Sequence, residues 1–145
     1  MSTNFTDILN KRADEIERPK PLPVGTYLGM VQGAPEFGNI GKENTAVANF
    51  TIRLLQANDD VDREALANVG GLDGKTVRHR FFLTDAAMYR LKEFLVNDLQ
   101  IEEGTSTLGQ LVSEAAGRQV YLTIKHRPSQ DGSQIYHEVG STAKV

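Results

Sequence analysis

Residues 75–99, KTVRHRFFLTDAAMYRLKEFLVNDL, contain a strand pattern that passes directly into a helix pattern. Apolar and polar side chains alternate in residues 75–83, which is typical of a strand with one buried face. The predicted inward set is Val77, His79, Phe81 and Leu83, and the predicted outward set is Thr76, Arg78, Arg80 and Phe82. Residues 86–99 carry an apolar stripe at helical spacing, and Thr84 with Asp85 supplies the predicted N-cap.

Four other strand patterns surround this segment, at residues 25–33, 45–56, 118–127 and 134–139. The core face predicted for the second strand consists of Ala46, Ala48, Phe50, Ile52 and Leu54. Residues 34–44 and 57–74 are rich in glycine, asparagine and aspartate, and we expect them to be flexible loops. A short helix is predicted at residues 107–116.

The order of three strands, two helices and two strands predicts a mainly β fold, a β-barrel with a helical insertion. This connectivity matches an OB-fold, a five-stranded Greek-key barrel whose sheet face and loops bind oligonucleotides. A mixed α+β domain with an open five-stranded sheet is the alternative. We expect an N-terminal helix and proline-rich arm at 1–21, the OB-fold domain at 22–140 and a short polar tail at 141–145.

The N-terminal helix is predicted from apolar residues at helical spacing in residues 4–18, followed by alternating Pro19, Pro21 and Pro23. Because so short a helix is marginal in water on its own, it must dock somewhere. Packing on the domain, self-association into a homo-oligomer and contact with a partner are the alternatives.

Composition limits the class of protein. The 145 residues, 39% hydrophobic and 24% charged, suit one soluble globular domain, and no apolar run approaches the roughly 20 residues of a membrane span. The chain has no cysteine, which excludes disulfides, thiolate zinc sites and cysteine nucleophiles. With no signal peptide pattern at the N-terminus, we expect a cytoplasmic protein.

Charge is distributed unevenly along the chain. The 16 Lys and Arg are outnumbered by 19 Asp and Glu, yet the predicted strands at 45–56, 75–83 and 118–127 contain seven cations and no acid. These cations are Arg53, Lys75, Arg78, Arg80, Arg118, Lys125 and Arg127. A sheet with a cationic face favours an anionic partner such as nucleic acid. The simpler explanation is that exposed strands carry Lys and Arg for solubility and edge protection.

Binding of single-stranded nucleic acid needs cations that follow the phosphates and aromatic rings on which bases stack. The outward sets supply both, together with the loop at 34–44. The predicted nucleic-acid contacts are Tyr27, Phe37, Lys42, Arg53, Arg78, Arg80, Phe82, Tyr121, Lys125 and Arg127. A register slip of one residue in the third strand would exchange its two faces and move His79 outward.

Catalytic and metal chemistry have weak support. His79, His126 and His137 lie on three predicted strands, but no further ligand lies at a metal spacing near them. The acidic cluster of residues 59–64 lies in one predicted loop, whereas a nuclease needs carboxylates held on rigid elements. We therefore expect no metal, no cofactor and no enzymatic activity.

Several stretches resemble the small OB-fold proteins that phages encode beside replication and recombination genes: LPVGTYLGMVQG, ANFTIRLL, LDGKTVRHRFFLTDAAMYRLKEFL, GRQVYLTIKHR and IYHEV. The resemblance covers residues 22–139 and rests on apolar and glycine patterns. It implies a single-stranded DNA-binding protein with replication or recombination proteins as partners, in the host cytoplasm. Such proteins commonly end in an acidic tail, whereas this chain ends in GSTAKV.

The sequence therefore predicts a protein that protects single-stranded DNA in phage replication or recombination, without enzymatic activity and with no membrane partner. The alternative is a structural or assembly protein that uses the barrel for contacts with other proteins. Salt dependence separates the two, because binding to phosphates weakens steeply as salt is added.

Overall fold

The structure, a computed structural model, describes Thr6, Leu9, Asn10, Arg12 and residues 20–145. In this part of the chain, six strands form one antiparallel sheet, with three short α-helices beside it. The strands are β1 (Gly25–Val31), β2 (Glu36–Ile40), β3 (Thr45–Ala57), β4 (Thr76–Phe82), β5 (Gln119–Pro128) and β6 (Ile135–Ala143). The predicted mainly β fold is confirmed.

The additional strand, β2, lies inside the segment that was predicted to be a flexible loop. Its five residues pair with the start of β3, with Ile40 opposite Thr45. The turn between them contains two residues with positive φ, Gly41 at 75° and Asn44 at 50°. Glycine and asparagine tolerate this left-handed region best, so these two residues let the chain reverse within four positions.

The central strand of the sheet is β3. One edge of β3 pairs with β2 and then with β1, where Val31 lies opposite Ile52. Its other edge pairs with β4, where Phe50 lies opposite His79. On the far side of β1, the sheet continues through β5 to β6.

The sheet curls so that β4 and β6, which lie on opposite sides of β3, approach each other. Cα atoms of the two strands come within 8 Å. In the described part of the chain no hydrogen-bonded ladder joins them. The predicted barrel is therefore not closed, and a cleft separates β4 from β6.

The core fills the concave side of the curled sheet. The ring centroid of Phe50 lies 5.7 Å from that of Phe81 and 5.3 Å from that of Phe94, both in edge-to-face arrangements. Burying each ring contributes roughly 1.5–3 kcal/mol. The core face predicted for β3 is confirmed at four positions, Ala48, Phe50, Ile52 and Leu54. It is wrong at Ala46, which is exposed because it lies at the end of β3 beside the turn.

A bulge in β3 interrupts its pairing with β1 near the core, and Leu55 is the additional residue. The pairing of β1 with β3 shifts by one residue between Leu28 and Gly29. A Cβ atom on Gly29 would lie 2.5 Å from Ile52 Cγ2 and 2.8 Å from Leu122 Cδ2. Only glycine allows this close approach of the strand to its neighbours.

The helices are α1 (Arg63–Asn68), α2 (Met88–Glu93), which continues as a π-helical turn (Phe94–Asp98), and α3 (Leu108–Ser113). Asp62 caps α1 by accepting hydrogen bonds from the amides of Glu64 and Ala65. Thr107 and Gln110 form a capping box at the start of α3. Across the described residues, no helix has both the length and the apolar character needed to cross a membrane.

Three boundaries differ from the predicted ones. The predicted cap at Thr84 and Asp85 is wrong, because α2 begins at Met88 after a turn in which the Thr84 carbonyl accepts from the amides of Ala87 and Met88. The loop predicted at residues 57–74 contains α1. Strand β6 continues to Ala143, through residues predicted as a polar tail, because it pairs with β5 up to Tyr121.

The arm before β1 is anchored by two histidines. The Leu22 amide donates to Nδ1 of His137 at 3.0 Å, and Nε2 of His126 lies 2.6 Å from the Leu22 carbonyl. Burial, and then the neighbouring His126, lower the pKa of His137. Of the helix predicted at residues 4–18, the structure describes one hydrogen bond, from the Asn10 amide to the Thr6 carbonyl. The rest of that predicted helix lies outside the described residues.

Candidate nucleic-acid interface

The convex face of β3 and β4 carries the predicted outward set of β4. Arg78 lies opposite Thr51, Arg80 opposite Asn49, and Phe82 opposite Val47. Both arginines are exposed, and the Phe82 ring is 45% exposed. The predicted alternation of β4 is confirmed, since Val77 and Phe81 are buried on the other side.

The two arginines of β4 differ in their partners. Nη2 of Arg78 lies 3.2 Å from Oε2 of Glu36, in an ion pair between two exposed side chains. Nε of Arg80 donates instead to Oδ1 of Asn49 at 2.9 Å. Because Asn49 is neutral, this contact positions the guanidinium without compensating its charge. Arg80 therefore presents a full positive charge beside an exposed aromatic ring.

The space between the two end strands of the curled sheet is called here the β4–β6 cleft. Its first half has a volume of about 440 Å³ and is lined by residues that include Arg78, Arg80, Phe82, Arg127 and Glu138. Its second half, next to α2, has a volume of about 420 Å³ and is lined by residues that include Phe82, Ala87, Arg90, Phe94, Asp98 and Ser141. Phe82 belongs to both halves.

The opposite wall of the first half carries Arg127 from β5 and Glu138 from β6. Nε of Arg127 lies 3.5 Å from Oε2 of Glu138, and both side chains are largely exposed. Exposed ion pairs of this kind contribute little energy, so a phosphate can replace the carboxylate at small cost. Lys125, also on β5, packs its side chain against Gly140, which lines the second half, and a Cβ atom on Gly140 would collide with it.

His79 forms part of the floor of the cleft. Its ring centroid lies 4.4 Å from that of Phe81 and 5.4 Å from that of Phe94. Burial lowers the pKa of His79 to about 4, so the imidazole is neutral near pH 7. The register slip that would have moved His79 outward does not occur, because His79 pairs with Phe50 on the core side.

The predicted exposure of Tyr27 is wrong. The sequence suggested a ring exposed for stacking, but Tyr27 is 0% exposed. It lies opposite Ala57 and Leu122 on the core side of the sheet, and its hydroxyl donates to the Pro23 carbonyl at 2.6 Å. Burial raises the pKa of Tyr27 to about 12. Its function is to connect the arm to the core.

The other predicted contacts are dispersed. Phe37 is 64% exposed, but it lies opposite Ala48 and so points to the face opposite Arg80. Lys42 is exposed in the turn after β2. Tyr121 is half-buried opposite Leu28, on the convex face of the β1 and β5 pair.

Arg53 is exposed and lies opposite Thr76 on the same face as Arg78. The structure brings four of the predicted residues together in the first half of the cleft: Arg78, Arg80, Phe82 and Arg127. Lys125 lies beside the cleft, against Gly140. Tyr27, Phe37, Lys42 and Tyr121 lie elsewhere.

Two residues of the cleft, Asn49 and Arg90, were not predicted from the sequence. Asn49 was assigned to the outer face of β3 without a role, and Arg90 was placed only in the helix after β4. Nε of Arg90 donates to the Tyr89 hydroxyl at 3.3 Å, and its guanidinium lies 5.8 Å from the centre of that ring. Helical periodicity places Arg90 on a polar face, but it does not orient that face toward β6.

The acidic loop after β3 has structural functions. Asp60 accepts hydrogen bonds from the amide and hydroxyl of Thr26, at 2.9 and 2.8 Å, which lower its pKa. Asp62 caps α1. Among the described residues, no group of three or more His, Asp or Glu is arranged to hold a metal ion. His126 and His137 pair across β5 and β6, whereas His79 lies in the aromatic cluster.

Comparison with known proteins finds no family model that matches the chain and no curated protein similar to it in sequence. The resemblance to phage DNA-binding proteins therefore stays a prediction, and the functional argument depends on the geometry of the cleft.

Proposed function

We propose that this protein binds single-stranded DNA without sequence specificity, through the β4–β6 cleft and the adjoining face of β3 and β4. The observation that carries the proposal is the Arg80 guanidinium, held by a neutral amide beside the exposed ring of Phe82. A cation next to an accessible ring is the combination that single-strand binding requires.

The arrangement of strands supports an OB-type fold. If β1 and β2 are counted as one bent strand, since both pair along the same edge of β3, the sheet has the five strands of that fold. An OB barrel is partly open, in agreement with the gap between β4 and β6. Oligonucleotides bind to the second and third strands of such barrels, which correspond here to β3 and β4.

In this mode of binding, both walls of the cleft supply phosphate contacts, and β4 also supplies the ring for stacking. Arg78 and Arg80 on β4 and Arg127 on β5 contact phosphates, and a base stacks on Phe82. Stacking contributes about 1–3 kcal/mol per base and tolerates any sequence, because every base has an aromatic face. The ion pairs with Glu36 and Glu138 are exchanged for pairs with phosphates.

We propose that the protein binds DNA and has no enzymatic activity. Two carboxylates of the acidic cluster at residues 59–64 have structural roles, Asp60 as an acceptor for Thr26 and Asp62 as a helix cap. As a phage-type protein it would protect single strands in the host cytoplasm during replication or recombination, beside the proteins of those processes.

The test is fluorescence anisotropy of a labelled oligo-dT strand and of the matching duplex, titrated with the protein at several salt concentrations. We expect preference for the single strand and a log-log salt slope of about 0.7 per phosphate contacted. Arg80→Ala should weaken binding, whereas Lys92→Ala should not. Lys92, on α2, is the control because its Nζ pairs with Oε1 of Glu103 at 2.7 Å and it does not line the cleft.

A second candidate function is contact with another protein during assembly. The observation in its favour is the exposed apolar pair at the start of β6, Ile135 at 54% and Tyr136 at 43% exposed. An edge strand with exposed apolar side chains is a surface to which protein partners add. Absence of DNA binding at low salt would favour this function.

A further inference from the structure

We infer that the second half of the β4–β6 cleft, next to α2, is a pocket that receives one unstacked base of the bound strand. The inference rests on the proposed function and adds a specific place for a base. The volume of about 420 Å³ lies within the range of small-molecule pockets. The base enters past Phe82, which lines both halves of the cleft.

The backbone of β4 supplies part of the polar lining. The Leu83 amide donates to the Ala46 carbonyl at 2.9 Å, and the Leu54 amide donates to the Lys75 carbonyl at 3.0 Å. These bonds direct the amides and carbonyls of the odd-numbered residues of β4 toward β3. The amides and carbonyls of Arg80 and Phe82 therefore point away from β3, toward the cleft. Such unpaired donors and acceptors can bind the edge of a base.

The charges in this half of the cleft favour a base over a phosphate. Arg80 and Arg90 are exposed residues of the lining, whereas Glu93 and Asp98 add negative charge to the same pocket. Carboxylates repel a phosphate but accept hydrogen bonds from the N–H groups at the edges of bases, which include N3–H of thymine. The two carboxylates offset the two arginines here, so phosphates stay with Arg78 and Arg127 in the first half and the base enters the second half.

The far wall of the pocket is held in place by a hydrogen bond. The Thr142 hydroxyl on β6 donates to Oδ2 of Asp98, at the end of the π-helical turn after α2. This bond joins β6 to the helical segment where no strand ladder joins β6 to β4. The pocket thus has a fixed shape before the strand arrives, which reduces the entropic cost of binding.

The experiment compares labelled oligo-dT with a twin strand that carries abasic sites, by anisotropy. The wild-type protein should bind the abasic twin about tenfold more weakly, since stacked bases are lost. Two variants fill the pocket from opposite walls, Ser141→Leu from β6 and Ala87→Leu from the start of α2. Each should remove the share of that difference that is due to the pocket base, while keeping the share due to stacking on Phe82 and the salt slope of the wild type.

The outcomes separate the inference from the proposed function. If both filled variants keep the full abasic penalty, the pocket inference is overturned and the proposed function stands. If wild-type protein does not bind oligo-dT at low salt, both are overturned. Thermal unfolding shows whether each filled variant folds. If one of them does not fold, the comparison is made with the other filled variant.

A second measurement does not depend on the variants. Photo-crosslinking of a strand that carries iodouracil should place adducts on residues that line the pocket, and adducts confined to the surface around Tyr121 would contradict it.

Discussion

Arg80 and Asn49 face each other across β4 and β3, with Nε of the guanidinium 2.9 Å from the amide oxygen. An amide holds a guanidinium in place as a carboxylate would, but it leaves the positive charge uncompensated. The neighbouring Arg78 is oriented by Glu36 and is partly neutralised by it. The affinity of this surface for phosphate therefore depends on which neighbour each arginine has.

Asn49→Asp should weaken binding to oligo-dT about two- to fivefold, because the new carboxylate pairs with Arg80 in competition with phosphate. The salt slope should fall by about 0.7 as that phosphate contact is lost. Anisotropy titrations at several salt concentrations measure both quantities. Asn49→Ala is the control, since it removes the amide without adding charge. Equal slopes for wild type and Asn49→Asp would contradict the prediction.

Phe82→Ala should lower the affinity for oligo-dT by about 1–3 kcal/mol through loss of stacking. The salt slope should not change, because no phosphate contact is removed. Phe37→Ala is the matched comparison, since Phe37 is even more exposed but lies on the opposite face of the sheet. We expect a smaller loss from Phe37→Ala. A larger loss of affinity from Phe37→Ala would indicate that bases stack on Phe37, in the hairpin of β2 and β3, and not on Phe82.

The stability of the protein should fall when the pH is lowered from 6.5 to 4. His79 has a pKa of about 4 in the fold, against 6.5 when unfolded, so the unfolded chain binds the proton more readily in this window. The stabilisation is complete above pH 6.5 and lost toward pH 4, on the order of 3 kcal/mol in total. Urea unfolding at a series of pH values measures it. His79→Phe should make the free energy of unfolding less dependent on pH. An unchanged pH dependence in this variant would indicate that other groups cause the effect, with His137 as the first candidate.

Gly29→Ala should destabilise the fold by about 1–3 kcal/mol, because the added methyl group overlaps Ile52 and Leu122 on the neighbouring strands. Gly38→Ala is the control, since nothing lies within 4 Å of a Cβ atom at Gly38. Urea unfolding of both variants compares their free energies of unfolding. A loss for Gly38→Ala as large as that for Gly29→Ala would show that the cost is not one of packing.

The face of β4 was predictable because a half-buried strand imposes a strict period of two, and KTVRHRFF keeps it without interruption. In β1 the burial also alternates, but Gly29 occupies an inward position while Leu28 and Met30 are apolar at outward positions, so the sequence pattern did not identify the inward face and the burial of Tyr27 was missed. Strand β2 was missed because EFGNI has little strand propensity and is extended only through its pairing with β3.

The β4–β6 cleft could not be predicted from the sequence. Its walls come from segments far apart in the chain, and its position depends on how far the sheet curls. The arginines on β4 and β5 were predicted as cations on a face, but their convergence around one cleft was not. Arg90 joins them through the placement of α2, which no local pattern encodes.

The pairing of β1 with β5 also has a consequence for how the protein folds. Gly25, the first residue of β1, lies opposite Ile124, which is 99 residues later in the chain (124 − 25). Contacts between such distant residues must be formed against the entropy of closing a long loop, and they slow folding. During synthesis one edge of β1 can pair with β3 early, but its other edge stays unpaired until β5 has been made. The hairpins of β2 with β3 and of β5 with β6 are local, and we expect them to form first.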